Sequence, residues 1–205
     1  MRGRTHSSSR WLQRQRNDVF VKQAQAKGYR SRAIFKLEEM DQKFGLFKGA
    51  KCVVDLGAAP GSWAQYVAMQ TQASVIACDL LEMDALAGVH IIQGDFTEEV
   101  VYQSIVEALD HAKADVILSD MAPNLSGNRS VDIPKAMYLC ELAVDLAQQH
   151  LRLNGHCVLK VFHGEGFDQL VKTLRELFQT VKSFKPKASR KESRETYLVA
   201  LNFKG

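Results

Sequence analysis

The 205-residue sequence predicts an α/β domain with a seven-stranded, mostly parallel sheet, an antiparallel last strand and helices on both faces. Strand-like and helix-like patterns alternate along the chain, and repeated strand–helix–strand units imply right-handed crossovers between parallel strands. Several strand candidates are continuous runs of Val, Ile and Leu, which are typical of strands covered on both faces. A short link between the last two strands favours a hairpin.

Seven segments have the length and composition of strands. They are residues 52–56, 74–80, 89–93, 115–119, 156–162, 180–185 and 196–203. Five segments between them have helical patterns. They are residues 31–44, 63–72, 98–111, 133–151 and 167–178. The link between the last two strands holds only about ten residues, too few for a crossover helix, so we expect the last strand to run opposite to its neighbours.

The composition excludes several classes of protein. With 46% hydrophobic and 24% charged residues, the chain resembles neither a low-complexity segment nor a disulfide-rich scaffold, and its apolar runs are shorter than the ~20 residues that cross a bilayer. The four cysteines have no CxxC spacing, so we expect each to be a small buried apolar residue. Free thiols are in turn typical of a reducing cytosol. The basic start lacks a following apolar stretch. We therefore expect a cytoplasmic protein without a membrane segment, and a monomer.

Charge is unevenly distributed. The net charge of +4 is the sum of +9 in residues 1–36, −10 in residues 37–181 and +5 in residues 182–205. Basic ends around an acidic middle predict that the two termini form a surface for a polyanion. We expect a basic, RNA-contacting segment over residues 1–30 and a single domain over residues 31–205.

A glycine-rich turn follows the first strand. Gly57 and Gly61 permit a tight strand-to-helix turn where a nucleotide-like ligand can lie against the backbone. The spacing differs from the G-x-G-x-x-G of dinucleotide sites, and Pro60 lacks an N–H group that a pyrophosphate would need. A nucleoside without phosphates is therefore favoured.

Acidic residues follow the next two strands. Asp79 is placed to accept hydrogen bonds from a ribose diol, and Asp95 to meet an exocyclic amine. Each acid alone could equally be structural. Together with Asp55, they lie at the carboxyl edge of the sheet, where open α/β sheets bind ligands. A positively charged nucleoside such as S-adenosylmethionine suits this edge.

The segment 55–63, Asp-Leu-Gly-Ala-Ala-Pro-Gly-Ser-Trp, resembles the first motif of the FtsJ-like ribose methyltransferases, which have a Rossmann-like fold. The resemblance continues at residues 29–33, 120–124 and 195–197 and covers about residues 10–203. It implies methyl transfer from S-adenosylmethionine to the ribose 2′-hydroxyl of a uridine in 23S ribosomal RNA, with the large ribosomal subunit as partner. The alternatives are a non-catalytic RNA-binding or ribosome-assembly protein and a 2′-O-methyltransferase for transfer RNA or an RNA cap.

Three ionisable residues converge by topology. Lys160 interrupts a strand expected to be central and buried, where an unpaired lysine is rare, although it could extend to solvent from the strand end. Asp120 ends the neighbouring fourth strand, and Glu195 opens the antiparallel last strand on the same edge. Lys36, on the first predicted helix, would by itself be a solvated lysine. The family resemblance implies that Lys36, Asp120, Lys160 and Glu195 are catalytic.

Methyl transfer to a ribose hydroxyl needs an aligned proton acceptor. We expect Lys160 to be the general base, with Lys36 favouring its neutral form. Asp120 would orient Lys160 and hold the methionine part of the cofactor, and Glu195 would position the lysine pair and the ribose. Burial and a second cation lower a lysine pKa, whereas carboxylates oppose that shift, so the net direction stays open.

The resemblance also implies cofactor-binding residues, although Trp63 could equally be a core residue. They are Gly57, Gly61, Trp63, Asp79, Asp95 and Asp120. Basic residues of the two termini are the RNA-binding candidates. They are Arg14, Arg16, Lys22, Arg30, Arg32, Lys187, Arg190 and Arg194. The six histidines lack metal-ligand spacing, so we expect no metal.

Overall fold

The computed structural model describes residues 18–190 and 192–205, so Arg14 and Arg16 lie outside the described residues. Seven strands form one sheet in the order β3-β2-β1-β4-β5-β7-β6. They are β1 (Cys52–Leu56), β2 (Ser74–Asp79), β3 (Val89–Gln93), β4 (Ala114–Ser119), β5 (Leu151–Phe162), β6 (Phe178–Phe184) and β7 (Glu195–Phe203). Strand β7 is antiparallel to β5 and β6, whereas the pairs among β1 to β5 are parallel. The predicted sheet is confirmed.

Six helices flank the sheet in the described part of the chain. They are α1 (Val19–Ala26), α2 (Ile34–Phe44), α3 (Ser62–Gln70), α4 (Glu99–Ala108), α5 (Arg129–His150) and α6 (Phe167–Leu177). Helices α1 to α3 cover one face, and α4 to α6 cover the other, so each face has its own apolar core. Alternate residues of each strand enter opposite cores, as the two-residue period of a strand requires. None of these helices is both long and apolar enough to cross a membrane.

Strand alternation decides which side chains reach the site. Val158 of β5, together with Tyr197 and Val199 of β7, belongs to the core beneath α1, α2 and α3. Lys160 and Glu195 are at positions two residues away from these and therefore project from the same face. The reaction site consequently lies at the carboxyl edge of the sheet, beside α2.

Helix α1 is not predicted from the sequence, where its residues belong to the basic N-terminal segment. Asp18 caps it by accepting hydrogen bonds from the N–H groups of Phe20 (3.0 Å) and Val21 (3.3 Å). Ala24 is buried, and the Phe20 ring lies 5.6 Å from the Phe35 ring of α2. Residues 18–30 therefore pack against the domain, and the division at residue 30 stays a prediction.

Two other elements begin four or more residues before their predicted starts. Helix α5 begins at Arg129 rather than at residue 133, because the Asn128 side chain accepts a hydrogen bond from the Ser130 N–H (3.2 Å). Strand β5 begins at Leu151 rather than at residue 156. All four cysteines are free thiols, three of them buried.

Candidate active site

The structure brings Lys36, Asp120, Lys160 and Glu195 together at the carboxyl edge of the sheet. Lys160 Nζ lies 3.2 Å from Asp120 Oδ1 and also donates a hydrogen bond to the Asp120 backbone carbonyl. Lys36 Nζ, which reaches the edge from α2, lies 2.7 Å from Glu195 Oε1. The four side chains are largely buried, with Lys160 only 9% exposed. Lys160 therefore does not extend to solvent.

Tyr197 joins these two ion pairs into one network. Its hydroxyl accepts a hydrogen bond from Lys36 Nζ (3.0 Å) and donates one to Asp120 Oδ1 (2.7 Å). Tyr197 lies in the family motif at residues 195–197, and no role is predicted for it from the sequence. Strand alternation is the sequence signal, because it puts Tyr197 on the same face as Glu195. The structure adds the register that pairs Tyr197 with Lys160.

Burial and charge set the protonation of this network. The pKa of Tyr197 is well above its usual value because of burial and of the nearby carboxylates of Asp120 and Glu195. The hydroxyl therefore remains a donor to Asp120 at any physiological pH. Burial alone would raise the pKa of Glu195, but the charge and hydrogen bond of Lys36, helped by Lys160, bring it below its usual value. Glu195 is therefore ionised.

A cavity of about 420 Å³ opens beside Asp120 and Lys160. Gly57, Asp79 and Asp95 line it, as expected for the cofactor edge. The apolar part of its lining comes from the loops after β2, β3 and β4 and from α5. It includes Leu80, Leu81, Phe96, Met121 and Leu139.

The glycine-rich turn depends on its two glycines. Gly57 has a φ of +73°, and a Cβ atom there would lie 2.7 Å from the backbone nitrogen of Met121. Gly61 has a φ of +95°, and its Cβ atom would lie 2.6 Å from Arg30 Nη1. Gly57 lets the turn approach the loop after β4, whereas Gly61 precedes α3 and does not line the cavity.

The Trp63 side chain packs in the core below the site. Its indole Nε1 donates a hydrogen bond to the Ala33 carbonyl (2.9 Å), and its ring lies 5.8 Å from the Tyr197 ring. The indole is therefore a support for Tyr197. A cofactor contact by this residue would have to come from its backbone N–H in the first turn of α3.

Asp79 and Asp95 are held by local backbone contacts. Asp79 Oδ2 accepts from the Ala59 N–H and Oδ1 from the Leu81 N–H, both at 2.8 Å, so it ties the glycine-rich turn to the end of β2. Asp95 Oδ1 accepts from the Thr97 N–H and hydroxyl. Within the described residues, Asp95 Oδ2 has no hydrogen bond and remains available at the cavity.

Asp55, the third acid of the predicted edge, lies behind the turn rather than in the cavity. Its carboxyl group is fully buried, and neither oxygen has a hydrogen-bond partner within the described residues. Burial, together with the charges of Asp120 and Asp79, raises the pKa of Asp55 to about 8, against the effect of the nearby Ala64 N–H. Asp55 is therefore mainly neutral at pH 7, and the three carboxylates that line the cavity are those of Asp79, Asp95 and Asp120.

Comparison with known proteins assigns the family. A family model described as "FtsJ-like methyltransferase" matches residues 29–203. The chain belongs to this family. The ribosomal RNA large subunit methyltransferase E of Hydrogenovibrio crunogenus is 53% identical over 199 residues, covering 96% of this chain and 97% of that protein.

Solved structures agree with this assignment. A ribosomal RNA methyltransferase from Plasmodium falciparum superposes with a TM-score of 0.77 and is 34% identical, covering 86% of this chain and all of that one. Human methyltransferase-like protein 13, crystallised with S-adenosylhomocysteine, has a TM-score of 0.57 and 12% identity over 83% of this chain and 78% of its own, and shares the fold. The predicted family, Rossmann-like fold and S-adenosylmethionine-dependent methyltransferase activity are confirmed.

A groove of about 440 Å³, called the basic groove below, borders the methyltransferase's network and shares no lining residue with the cofactor cavity. Its charged lining consists of three cations and two carboxylates, from Arg32, Lys36, Arg190, Glu192 and Glu195. Lys187 and Arg194 lie on the exposed loop that forms its wall, and Lys22 is exposed on α1. Four of the predicted RNA-binding residues, Arg32, Lys187, Arg190 and Arg194, thus lie in this groove or on the loop beside it.

Two predicted RNA-binding arginines make internal contacts in the methyltransferase. The Arg30 guanidinium donates hydrogen bonds to the carbonyls of Pro60 (3.1 Å) and Ala85 (2.8 Å), so it braces the glycine-rich turn. Arg32 pairs with Asp18 and donates to the Ala188 carbonyl. Both arginines hold loops in place through these internal contacts, and their contact with RNA stays a prediction.

In the described part of the methyltransferase, no group of three or more His, Cys, Asp or Glu residues has a geometry that could hold a metal ion.

Proposed function

We propose that this methyltransferase transfers a methyl group from S-adenosylmethionine to the ribose 2′-hydroxyl of a uridine in 23S ribosomal RNA, with Lys160 as general base. One observation carries the proposal. Lys160 is buried, is held by Asp120 and lines the cofactor cavity, and the hydrogen-bonded network that includes it reaches the basic groove at Lys36 and Glu195. The relative from Hydrogenovibrio crunogenus supports the large-subunit RNA as substrate.

The lining of the cavity fits S-adenosylmethionine. Asp79 and Asp95 offer acceptors for a ribose diol and an exocyclic amine, and the apolar side chains of Leu81 and Phe96 suit an adenine ring. Asp120 places negative charge beside the positively charged methionine part. When bound, the cofactor supplies an electrophilic methyl group on a sulfonium.

Lys160 has the contacts of a proton acceptor. A neutral lysine amine carries two N–H donors and one lone pair. The Asp120 backbone carbonyl and Oδ1 accept from Lys160 and can take both donors, which leaves the lone pair for the ribose hydroxyl. Asp120 thereby fixes the direction from which Lys160 receives the proton.

The other network residues position this base. Tyr197 holds Asp120 by its hydrogen bond, and Lys36 holds Tyr197. Glu195 holds Lys36 in place by an ion pair of 2.7 Å. Lys36 is thereby linked to Lys160 through Tyr197 and Asp120.

The basic groove supports an RNA substrate. Arg32, Arg190 and the neighbouring Lys187 offer cations next to the reaction site, where phosphate contacts give affinity without sequence information. The proposed RNA-binding set also includes Arg14, Arg16, Lys22, Arg30 and Arg194. We propose that the protein acts as a monomer in the cytoplasm.

The experiment that tests the proposal is transfer of labelled methyl groups to free ribosomal RNA and to large subunits from cells that lack this protein, with the modified nucleotide mapped. We expect a 2′-O-methylated uridine in 23S RNA. Lys160→Ala is expected to lower the rate at least about 100-fold. Lys182→Ala, at an exposed lysine of β6, is the matched control and is expected to retain full activity.

Other outcomes would each reject a part of the proposal. Near-normal turnover by Lys160→Ala would reject the base assignment. RNA binding without methyl transfer by the unmodified protein would favour a non-catalytic ribosome-assembly role. Methylation of transfer RNA or of a capped RNA in preference to ribosomal RNA would change the substrate and leave the chemistry intact.

A further inference from the structure

A further cavity of about 340 Å³ lies at the carboxyl edge, beyond the basic groove. Its walls come from the loop after β4, the start of α5, the end of β5 and the loop before β7. They include Leu125, Ile133, Phe162, His163, Ser193 and Arg194. Its volume is within the usual range of small-ligand sites, and apolar and aromatic side chains form much of the lining.

This cavity adjoins the basic groove and lies at the end of the strand that bears Lys160. Phe162 lies two residues after Lys160 on β5, so both side chains project from the same face of the strand. In the register with β7, Phe162 is paired with Glu195. Glu192 and Ser193 line both this cavity and the basic groove. The cavity is therefore next to the network, in the direction in which β5 ends.

The wall formed by Leu125 is held in place. Asp132 Oδ1 accepts hydrogen bonds from the Ser126 N–H and hydroxyl (both 2.8 Å), and its Oδ2 accepts from the Gly127 N–H (3.0 Å). Leu125 is an apolar residue, yet it is 62% exposed to solvent. The loop thus presents an apolar side chain at a fixed position beside the reaction site.

We propose that this cavity holds the base of the nucleotide whose ribose is methylated, turned out of the RNA stack. The inference rests on the proposed function. A nucleobase is flat and aromatic, which suits walls of Phe162, His163 and Leu125. The exposed Arg194 on the rim offers a cation for the adjoining phosphate.

Distance along the strand favours the target base over a neighbouring one. Residues two apart on a strand are separated by about 7 Å. The base is attached to the ribose carbon next to the one that bears the reacting hydroxyl. With that hydroxyl at Lys160, the same nucleotide's base lies near Phe162. Moving a base out of its stack costs a few kcal/mol, which contacts inside a pocket can offset.

The test compares RNA substrates that carry uridine or an abasic ribose, still with its 2′-hydroxyl, at the target position. Leu125→Ala is expected to lower kcat/KM for the uridine RNA about tenfold, with no change in KM for S-adenosylmethionine. On the abasic RNA, Leu125→Ala is expected to cause no further loss, because the group that Leu125 contacts is absent. Leu153→Ala is the matched control, since Leu153 is 59% exposed on β5 at the opposite edge.

Leu125→Ala could also change the conformation of its own loop, so His163→Ala serves as a second variant. His163→Ala is likewise expected to lower kcat/KM for the uridine RNA and to cause no further loss on the abasic RNA. An equal loss on uridine and abasic RNA would overturn the base site. A loss of kcat/KM that disappears only when a neighbouring nucleotide is abasic would also overturn the base site. Absence of methylation of the uridine RNA by the unmodified protein would instead reject the proposed function, and the base site with it.

Discussion

Lys160 and Tyr197 lie opposite each other in the antiparallel pair of β5 and β7, and both side chains make hydrogen bonds to Asp120. Strand register therefore sets the geometry of the reaction site. A one-residue slip of β7 would turn Tyr197 and Glu195 to the opposite face of the sheet. The fully buried Tyr197 ring, packed beside Trp63, helps to specify this register.

Removal of the Tyr197 hydroxyl is expected to lower kcat about tenfold while leaving KM for RNA and for S-adenosylmethionine within about twofold. Tyr197→Phe keeps the ring but removes the link between Lys36 and Asp120. Steady-state kinetics measure the effect, with Tyr138→Phe, at a half-exposed tyrosine of α5, as control. An unchanged kcat would show that Asp120 needs no support from Tyr197.

The buried Asp55 carboxyl group predicts a pH-dependent stability. Its pKa of about 8 in the folded protein exceeds the value of about 4 in an unfolded chain. The unfolded state therefore binds fewer protons between these values. The contribution of Asp55 to stability is complete below about pH 4, falls as the pH rises, and is lost above about pH 8, with a slope of at most about 1.4 kcal/mol per pH unit.

Asp55→Asn tests this, because an amide stays neutral throughout that range. The measurement is urea unfolding of the cofactor-free protein at pH 5 to 9. The free energy of unfolding of the variant minus that of the unmodified protein is expected to rise with pH up to about pH 8 and to stay constant above it. Parallel pH dependence of the two proteins would mean that Asp55 is ionised in the folded state.

Loss of the Asp95 carboxylate is expected to weaken S-adenosylmethionine binding about tenfold or more, because hydrogen bonds to charged groups contribute about 1.5–3 kcal/mol. Asp95 lines the cofactor cavity. Calorimetric titration of Asp95→Ala measures the effect, with Asp84→Ala, at an exposed aspartate, as control. RNA affinity is expected to stay the same. Equal cofactor affinity in both variants would show that Asp95 does not bind the cofactor.

The exposed cations of the loop before β7 are expected to contact phosphates. Lys187→Ala and Arg194→Ala should each weaken RNA binding and reduce the slope of log affinity against log salt concentration by about one. Lys172→Ala, at an exposed lysine of α6 on the opposite side of the sheet, is the control. Filter binding over a range of salt concentrations distinguishes these outcomes. An unchanged slope for both loop variants would place the RNA elsewhere.

The order of the elements and the antiparallel last strand could be predicted from local patterns, because burial on two faces imposes continuous apolar runs and a ten-residue link cannot hold a crossover helix. The topology then placed Asp120, Lys160 and Glu195 on one edge, since strand ends of a parallel sheet meet there. Lys36 entered the site only through the family resemblance, because a helix surface lysine has no local signature of a partner.

Local sequence patterns and motifs are enough to predict the fold class, the family and the strand ends that bear the ionisable groups. Three features follow only from the packed structure: Tyr197 joins the two ion pairs, the Trp63 indole supports it from the core, and burial raises the pKa of Asp55 behind the turn. Periodicity depends on a residue's own chain neighbours. Hydrogen-bond partners and the loss of solvent depend on which distant elements pack together.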